Sequence, residues 1–465
     1  MSLLTTLHAA RRGITVASEG INVVGHNTAN ATTDGYSRRE MSVTTMYPLY
    51  RNGAWLGQGP NRASFTRSAD SFVDQNLVST SGHQQYAKET YDVLSLIESK
   101  LSDATPGSIL ETYREFTESM RSLTNDPDDP NLRDLVVMYA TRFGNSVNEV
   151  ADFAREVQSS LRSDIETSME HINDKLATVA NLNMRIMSTG GSVSAGDLQD
   201  QRDMVIRELA EITGVTVRFS PNGQANVYMD GHVLVQNENH REMEYYEDAN
   251  GDPQVAVKTD SGRITITDAM EGRFGGRNNA YAQIGDMLDS LNDWTTQFVS
   301  DFNTLHQTGF DQNGNTGLDF FTVNTISPAS SLSVDAGVLA DSSTIAVAGA
   351  LNATTGFPDA GDRDVLDLLI GLEDSQTYGS TGAYTARQEL SNMYASIATQ
   401  VRAAEDNYDL QSMRMEDINE LRASISGVNL DEEAVKLMEY QASYEAASRV
   451  ISVTNRLLAE LMQVV

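Results

Sequence analysis

The sequence predicts an α+β multidomain protein, with long coiled-coil-like α-helices at its termini and in an inner layer, and with an inserted antiparallel β domain. Three observations support this prediction. Apolar residues recur at helical spacing at both ends and in three long interior segments. Between the second and third of those segments, short apolar runs alternate with turn residues, which is typical of β-hairpins. The length of 465 residues also suffices for roughly three domains.

The first helix is predicted from an apolar seam whose members follow one another at steps of three and four residues. Three glycines, Gly13, Gly20 and Gly25, lie within it, and each weakens a helix by about 0.5 to 1 kcal/mol relative to alanine. They either permit a neighbouring helix to approach closely or mark breaks between shorter helices. Such a helix depends on packing, so we expect it to become ordered on assembly. The seam residues expected to form an assembly interface are Leu3, Leu7, Ile14, Ile21 and Val24.

The last segment of the chain repeats this spacing, with the semi-polar Thr454 as its one interruption. A single pattern of this kind is also typical of an ordinary amphipathic helix on a globular core. Its occurrence at both ends favours coiled-coil-like terminal helices that meet each other. The residues expected to form the C-terminal assembly interface are Leu437, Tyr444, Ile451, Leu458 and Leu461.

The interior is predicted to contain long helices over 84–123, with a break near Pro106, over 132–189 and over 383–426. Further helices are expected over 280–307 and 365–372, short strands over 36–80 and 309–360, and hairpins over 214–267. The predicted domains are a terminal helical domain (1–35 with 428–465), a long-helix domain with short β segments (36–212 with 280–427) and an outer, inserted β domain (213–279). Strands from 318–350 are a possible addition to the β domain.

Composition excludes several classes of function. Lysine and arginine total 33 against 65 acidic residues, a net charge of −32, which argues against a nucleic-acid partner. The absence of cysteine excludes disulfides and thiolate chemistry. The sequence has no apolar run long enough for a membrane helix and no pattern of a cleaved Sec signal peptide. Residues 1–80 are nearly neutral, so we expect self-association to begin at the ends.

Motifs for catalysis and for cofactors are missing. The sequence has no HExxH zinc motif, no phosphate-binding loop and no GxSxG nucleophile elbow, so we expect no enzyme, no catalytic residue and no cofactor site. The segment Asp311–Gly317 resembles half of a calcium loop but lacks the glycine and the bidentate glutamate that complete one. A hairpin turn is the better interpretation, and no metal site is predicted.

Two terminal motifs resemble a known family. The loop NTANATTDGYSR after the first helix contains Asn27, Asn30, Thr32, Gly35 and Tyr36, and the end of the chain contains Ser426–Ala434 followed by YQASY. Both resemble the matching segments of the rod, hook and hook-associated axial proteins of the bacterial flagellum. Asp34 stands where these relatives commonly have proline. The interior motifs QRD at 201–203, FN at 302–303 and FF at 320–321 are similar to those of the hook-associated members that form the hook–filament junction.

This resemblance implies a structural subunit that joins hook to filament and assembles itself into a ring or tubular layer after type III export. The implied partners are copies of itself, the hook protein, a second hook–filament junction protein and a flagellar export chaperone, with no nucleic acid and no membrane insertion. The implied location is extracellular, after secretion without a cleaved signal peptide. The rival hypothesis is a secreted acidic surface adhesin with a helical stalk and a β head, which predicts complete calcium loops and a secretion signal.

Overall fold

The computed structural model describes residues 3–51, 54–102, 106–189, 193–220, 222–249, 251–259, 262–379 and 382–464. Its helices are α1 (Leu3–Ala29), α2 (Ser71–Leu101), α3 (Ile109–Leu123), α4 (Pro130–Thr189), α5 (Val193–Thr213), α6 (Gly272–His306), α7 (Ala336–Ala340), α8 (Asp364–Gly371), α9 (Ala386–Ser426) and α10 (Leu430–Val464). Its strands are β1 (Arg39–Thr45), β2 (Leu49–Arg51), β3 (Ala54–Leu56), β4 (Pro60–Arg67), β5 (Thr216–Phe219), β6 (Ala225–Met229), β7 (His232–Gln236), β8 (Asn239–His240), β9 (Met243–Glu247), β10 (Pro253–Thr259), β11 (Gly262–Thr265), β12 (Phe321–Thr322) and β13 (Ser333–Val334).

The first of two compact units comprises Met1–Tyr86, Thr167–Gly275 and Asp409–Val465. It contains the terminal helices α1 and α10, the antiparallel pairs β1–β4 and β2–β3, and helix α5. Two further antiparallel sheets belong to it, one with strand order β5-β6-β7-β8 and one with order β11-β10-β9. The hairpins predicted over 214–267 are therefore confirmed as strands and turns.

The second unit comprises Ala87–Glu166 and Gly276–Tyr408. Its core is built from aromatic side chains of α3, α4, α6 and the segment that enters β12. Phe116 and Phe143 stack at 6.1 Å between ring centroids, and Trp294 stacks on Phe298 at 5.3 Å. β12 and β13 pair with each other, instead of with the strands of 216–265. The three-part domain division expected from the sequence stays a prediction.

Local sequence explains where several helices begin. Ser108 accepts a hydrogen bond from the Glu111 backbone N–H at 3.2 Å and so caps α3. Thr385 and Gln388 form a reciprocal capping box at the start of α9, with N···O distances of 3.0 and 3.3 Å. Proline occupies the first position of α4, where its missing N–H costs nothing.

Some expectations about the elements are wrong or incomplete. α2 begins at Ser71 instead of near residue 84, and the spacing over 190–213 predicts no element where α5 is found. α2 approaches α5 at Gly82, where a Cβ would lie 3.1 Å from the Ala210 carbonyl oxygen. Tertiary packing therefore stabilises a Ser/Thr-rich segment of weak helix propensity. The alternative that the α1 glycines mark helix breaks is also wrong, because α1 is continuous.

Among the described residues, none of the helices combines the length and the apolar character needed to span a bilayer.

Candidate assembly site

Helices α1 and α10 pack against each other in antiparallel orientation with a seven-residue register. A Cβ at Gly13 would lie 3.4 Å from Ala447, a Cβ at Gly20 would lie 2.6 Å from the Tyr440 ring, and Asn27 bonds to Glu433 at 3.0 Å. Each step of seven along α1 therefore corresponds to a step of seven back along α10. This is the spacing of a coiled coil, so the two ends of the chain meet as the sequence predicts.

The predicted seam residues of α1 and α10 are buried to different extents. Val24 is buried, and the other N-terminal seam residues are half-buried: Leu3, Leu7, Ile14 and Ile21. On α10, Tyr444 is exposed, the side chain of Leu461 lies outside the described residues, and the remaining seam residues are half-buried: Leu437, Ile451 and Leu458. Packing within one chain does not test whether the same residues contact another subunit. Their assignment as assembly interfaces stays a prediction.

A second apolar stripe runs along α10 and is exposed to solvent. Its members follow at steps of three and four residues, which keeps them on one side of a helix. The predicted seam lies on another side of α10 and does not include this stripe. The same three- and four-residue spacing, counted from Val435, indicates the stripe in the sequence. The exposed residues are Val435, Met438, Ala442, Ala446, Val450, Val453 and Leu457.

The buried amide of Asn27 joins the end of α1 to its surroundings. Its Nδ2 donates to the Arg39 carbonyl oxygen at 2.9 Å and to Glu433 Oε2 at 3.0 Å. Its Oδ1 accepts from the Arg39 N–H at 2.8 Å and from the Tyr36 hydroxyl at 2.7 Å. Asn27 is 1% exposed. One side chain thus fixes α1, the following loop, β1 and the start of α10.

The other residues of the loop motif have distinct roles. Asn30 Nδ2 donates to the His26 carbonyl oxygen at 2.9 Å and closes the last turn of α1. Gly35 has φ +76°, and a Cβ there would lie 2.7 Å from Met204. Burial raises the pKa of Tyr36 to about 12, so its hydroxyl stays protonated and able to donate. Thr32 is exposed and is held by none of these contacts.

A cluster of buried ion pairs lies beneath the loop. Arg39 Nη2 lies 2.5 Å from Asp200, Arg67 lies 2.5 Å from Asp203 and 3.1 Å from Asp74. Arg202, from the QRD motif, binds Asp203 at 2.9 Å and donates to the Gly223 carbonyl oxygen at 2.5 Å. Opposite charges alternate through the cluster, which offsets the cost of burying them.

The pKa shifts of the carboxyls reflect their different partners. Burial raises the pKa of Asp200 and of Asp74, although neighbouring arginines oppose the shift. Burial would also raise the pKa of Asp203, but attraction to Arg67 and Arg202 outweighs it and lowers that pKa. The Asp203 carboxylate is therefore the most firmly charged of the three, as expected of a structural anchor.

The interior motifs also have structural roles, in the second unit. Asn303 Oδ1 accepts from the backbone N–H groups of Phe320 and Phe321, each at 3.0 Å. His306 is fully buried, its Nδ1 lies 2.8 Å from the Leu318 carbonyl oxygen, and its Nε2 accepts from the Ala346 N–H at 2.9 Å. These bonds fix the segment that carries the paired phenylalanines onto α6.

The loop at Asp311 is a turn held by its own side chains. Asp311 Oδ1 accepts from the backbone N–H groups of Asn313 at 2.8 Å and Asn315 at 2.7 Å, and Oδ2 accepts from the Asn315 amide at 3.1 Å. Both carboxylate oxygens are thus occupied, which agrees with the hairpin-turn interpretation. Over the parts of the chain that the structure describes, no group of three or more His, Cys, Asp or Glu side chains is arranged to hold a metal ion.

Comparisons with known proteins show which family the chain is similar to. Residues 94–321 match the family described as "Flagellar hook-associated protein FlgK helical domain", and residues 422–464 match "Flagellar basal body rod FlgEFG protein C-terminal". The chain is 24% identical to flagellar hook-associated protein 1 of Escherichia coli (strain K12), over 98% of this chain and 99% of that relative. The chain belongs to the flagellar hook-associated protein FlgK family.

Further relatives and a solved structure are consistent with membership of the FlgK family. Flagellar hook-associated protein 1 of Bacillus subtilis (strain 168) is 24% identical, over 98% of this chain and 97% of that relative. The fold is similar to the flagellar hook junction protein FlgK from Burkholderia pseudomallei, with a TM-score of 0.63 at 14% identity, over 77% of this chain and 100% of that one. FlgK proteins are structural proteins of the flagellum and not enzymes, and the adhesin hypothesis is not favoured.

Proposed function

We propose that this chain is the structural subunit that joins the flagellar hook to the filament, and that copies of it assemble into a ring through the terminal helices. The observation that carries the proposal is the exposed apolar stripe of α10, on a helix whose other side is already paired with α1. An extended apolar strip on a chain with charge −32 is a solubility liability unless a partner covers it. In a ring, the same strip on every copy meets a neighbour.

A junction has two different neighbours in addition to its own copies. We infer that the hook protein lies on one side and a second hook–filament junction protein on the other, and that an export chaperone covers the apolar stripe before assembly. The names of the relatives, which refer to the hook and to the hook junction, support the hook protein and a junction protein as neighbours. The exposed stripe supports the chaperone, because an uncovered strip would associate prematurely at cellular concentrations.

We also propose that the chain is exported by the type III route to the outside of the cell without loss of its first residues. α1 contacts α10 from Gly13, opposite Ala447, to Asn27, which bonds to Glu433. Cleavage of a leader of that length would remove α1 and leave the facing side of α10 uncovered. Mass spectrometry of chains recovered from isolated flagella should therefore detect the peptide of residues 3–11.

The assembly proposal is tested by Val453→Asp, with Ser452→Asp as the matched control on the next, exposed position of α10. A carboxylate in a helix–helix contact is costly at every copy around a ring. We expect Val453→Asp cells to make hooks but to lose filament protein to the medium, whereas Ser452→Asp cells stay motile. Normal attached filaments with Val453→Asp would overturn the proposal.

A further inference from the structure

The side chain of Tyr36 links His26 to Asn27 at the end of α1. His26 Nδ1 lies 3.0 Å from the Tyr36 hydroxyl, and that hydroxyl lies 2.7 Å from Asn27 Oδ1. The rings of His26 and Tyr36 are also in contact, with centroids 5.7 Å apart. The positions of the protons in this chain of three side chains follow from the groups at its end.

The backbone of Arg39 fixes the orientation of the Asn27 amide. The Arg39 N–H can only donate, and it lies 2.8 Å from one polar atom of that amide. The Arg39 carbonyl oxygen can only accept, and it lies 2.9 Å from the other polar atom. The first atom is therefore Oδ1 and the second is Nδ2. Because Oδ1 carries no proton, the Tyr36 hydroxyl donates to it.

The hydroxyl of Tyr36 has a single proton, and Asn27 receives it. Burial raises the pKa of Tyr36 to about 12, so the hydroxyl keeps this proton at neutral pH. The bond to His26 then runs in the other direction, with Nδ1–H donating to the Tyr36 oxygen. A neutral imidazole has only one N–H, so its Nε2 carries a lone pair. The network thus selects one tautomer of His26.

The remaining ring nitrogen of His26 faces a carboxylate of α5. Nε2 lies 3.8 Å from Asp197 Oδ1, and both side chains are partly exposed to water. In the neutral ring, two acceptors face each other and cannot form a hydrogen bond. In the protonated ring, Nε2 carries an N–H and the imidazolium forms an ion pair with Asp197. The bond to Tyr36 is retained, because Nδ1 keeps its proton in both forms.

The charged groups around this pair determine how strong the contact is. α5 contributes Asp197 and Asp200, and α10 contributes Glu433, which Lys436 contacts at 3.0 Å. β1 contributes Arg39, whose Nη2 lies 3.1 Å from the same Asp197 oxygen. Three carboxylates thus face two cations, so a protonated His26 meets an excess of negative charge. Arg39 already occupies the Asp197 oxygen, which limits the gain from a second cation.

We propose that His26 is a proton-dependent contact between α1 and α5: its neutral form binds Tyr36 alone, and its protonated form also binds Asp197. The contact closes as the pH falls below neutral, the range in which histidine gains its proton. It holds the end of α1 and the following loop more tightly in acid. Its response to the pH outside the cell rests on the proposed export, whereas the contact itself does not.

Nitrogen NMR of the full chain with 15N-labelled histidine tests the tautomer. His26→Asn identifies the His26 signals by their loss. At about pH 8 we expect the neutral His26 ring to carry its proton on Nδ1. A neutral ring protonated on Nε2 would overturn the proposal, because Nε2 would then face Asp197 as a donor at every pH.

Hydrogen exchange of peptides from residues 22–30 tests the contact with Asp197. Protection factors, which correct for the intrinsic effect of pH on exchange, are compared at about pH 5 and about pH 8. We expect about threefold more protection at the lower pH in the native chain, since an ion pair with partly exposed members contributes modestly. Asp197→Asn should abolish the difference, and Arg39 retains Asp200 at 2.5 Å in that variant.

His26→Asn is the matched control for this experiment. The asparagine amide can replace the Nδ1–H donor toward Tyr36, but it does not titrate. We expect its protection to equal that of the native chain at about pH 8 and not to rise at about pH 5. Equal protection of the native chain at both pH values, or a rise of the same size in His26→Asn, contradicts the proposal. Neither outcome bears on the junction function, which Val453→Asp tests separately.

Discussion

Replacing Gly20 with alanine should weaken the pairing of α1 with α10, although alanine is the better helix former. The new Cβ would lie 2.6 to 2.7 Å from ring atoms of Tyr440, closer than side chains tolerate. Alanine for glycine gains about 1 kcal/mol of helix stability, while overpacking typically costs about 1 to 3 kcal/mol. We therefore expect a net loss of about 1 kcal/mol.

Gly25→Ala is the matched control on the same helix. A Cβ at Gly25 meets nothing within 4 Å, so only the gain in helix propensity, about 0.5 to 1 kcal/mol, remains. The two variants make the same chemical change and should act in opposite directions. Their difference of roughly 2 kcal/mol corresponds to about a thirtyfold difference in local protection.

Amide hydrogen exchange of peptides from residues 14–25 measures this protection directly. A local probe is needed because a chain with two units has no single free energy of unfolding. A double-mutant cycle with Tyr440→Ala adds a further check, since removal of the ring should relieve the cost of Gly20→Ala. If Gly20→Ala and Gly25→Ala give the same amide protection of α1 in the chain that keeps Tyr440, the close packing of Gly20 against the Tyr440 ring is refuted.

Four further predictions concern other parts of the molecule. Asn27→Ala should destabilise the first unit by about 2 to 4 kcal/mol in thermal unfolding, because the Arg39 N–H, the Arg39 carbonyl and Glu433 Oε2 lose this buried partner, whereas Thr32→Ala should change it by less than about 0.5 kcal/mol; equal effects would contradict the role of Asn27. Burial lowers the pKa of His306 below its ordinary 6.5, so the stability it contributes is complete above pH 6.5 and is lost as the pH falls below that value. Hydrogen exchange of residues 316–322 should accelerate over this range in the native chain and not in His306→Gln. Millimolar calcium should not shift the melting temperature beyond the effect of ionic strength, and a calcium-specific shift abolished by Asp311→Ala would revive the adhesin hypothesis. In dilute monomer, amides near Leu3 should exchange quickly and those near Asn27 slowly, since only the latter end is fixed by the polar cluster; uniform protection would contradict ordering on assembly.

The terminal helices could be predicted from spacing alone, because a seam of three- and four-residue steps has one simple structural solution. Their pairing with each other was also expected. The register of that pairing was not, because it is set by the contact between Gly20 and the Tyr440 ring. Residues 71–83 have weak helix propensity, and α2 was expected to begin only near residue 84. Residues 193–213 are rich in leucine, glutamine, arginine and glutamate, which favour a helix, yet no helix was predicted there.

The candidate site was only partly accessible from the sequence. The loop motif was identified by resemblance, yet nothing local indicates that Asn27 bonds to Glu433, 406 residues away. The ion pairs of Arg39 and Arg67 with carboxylates of α5 are equally non-local. In a sequence with 65 acidic residues, no pattern distinguishes the few that are buried. Which of them are buried is determined by the tertiary structure.

The antiparallel register of α1 with α10 has a consequence for synthesis and quality control. Glu433 of α10 follows Asn27 of α1 by 406 residues, so α1 stays without its partner until that long stretch has been translated. Contacts of such long sequence separation form late and slowly. A chain that stops before α10 keeps the facing side of α1 exposed, and a protease or chaperone that recognises apolar segments can distinguish it from a finished chain.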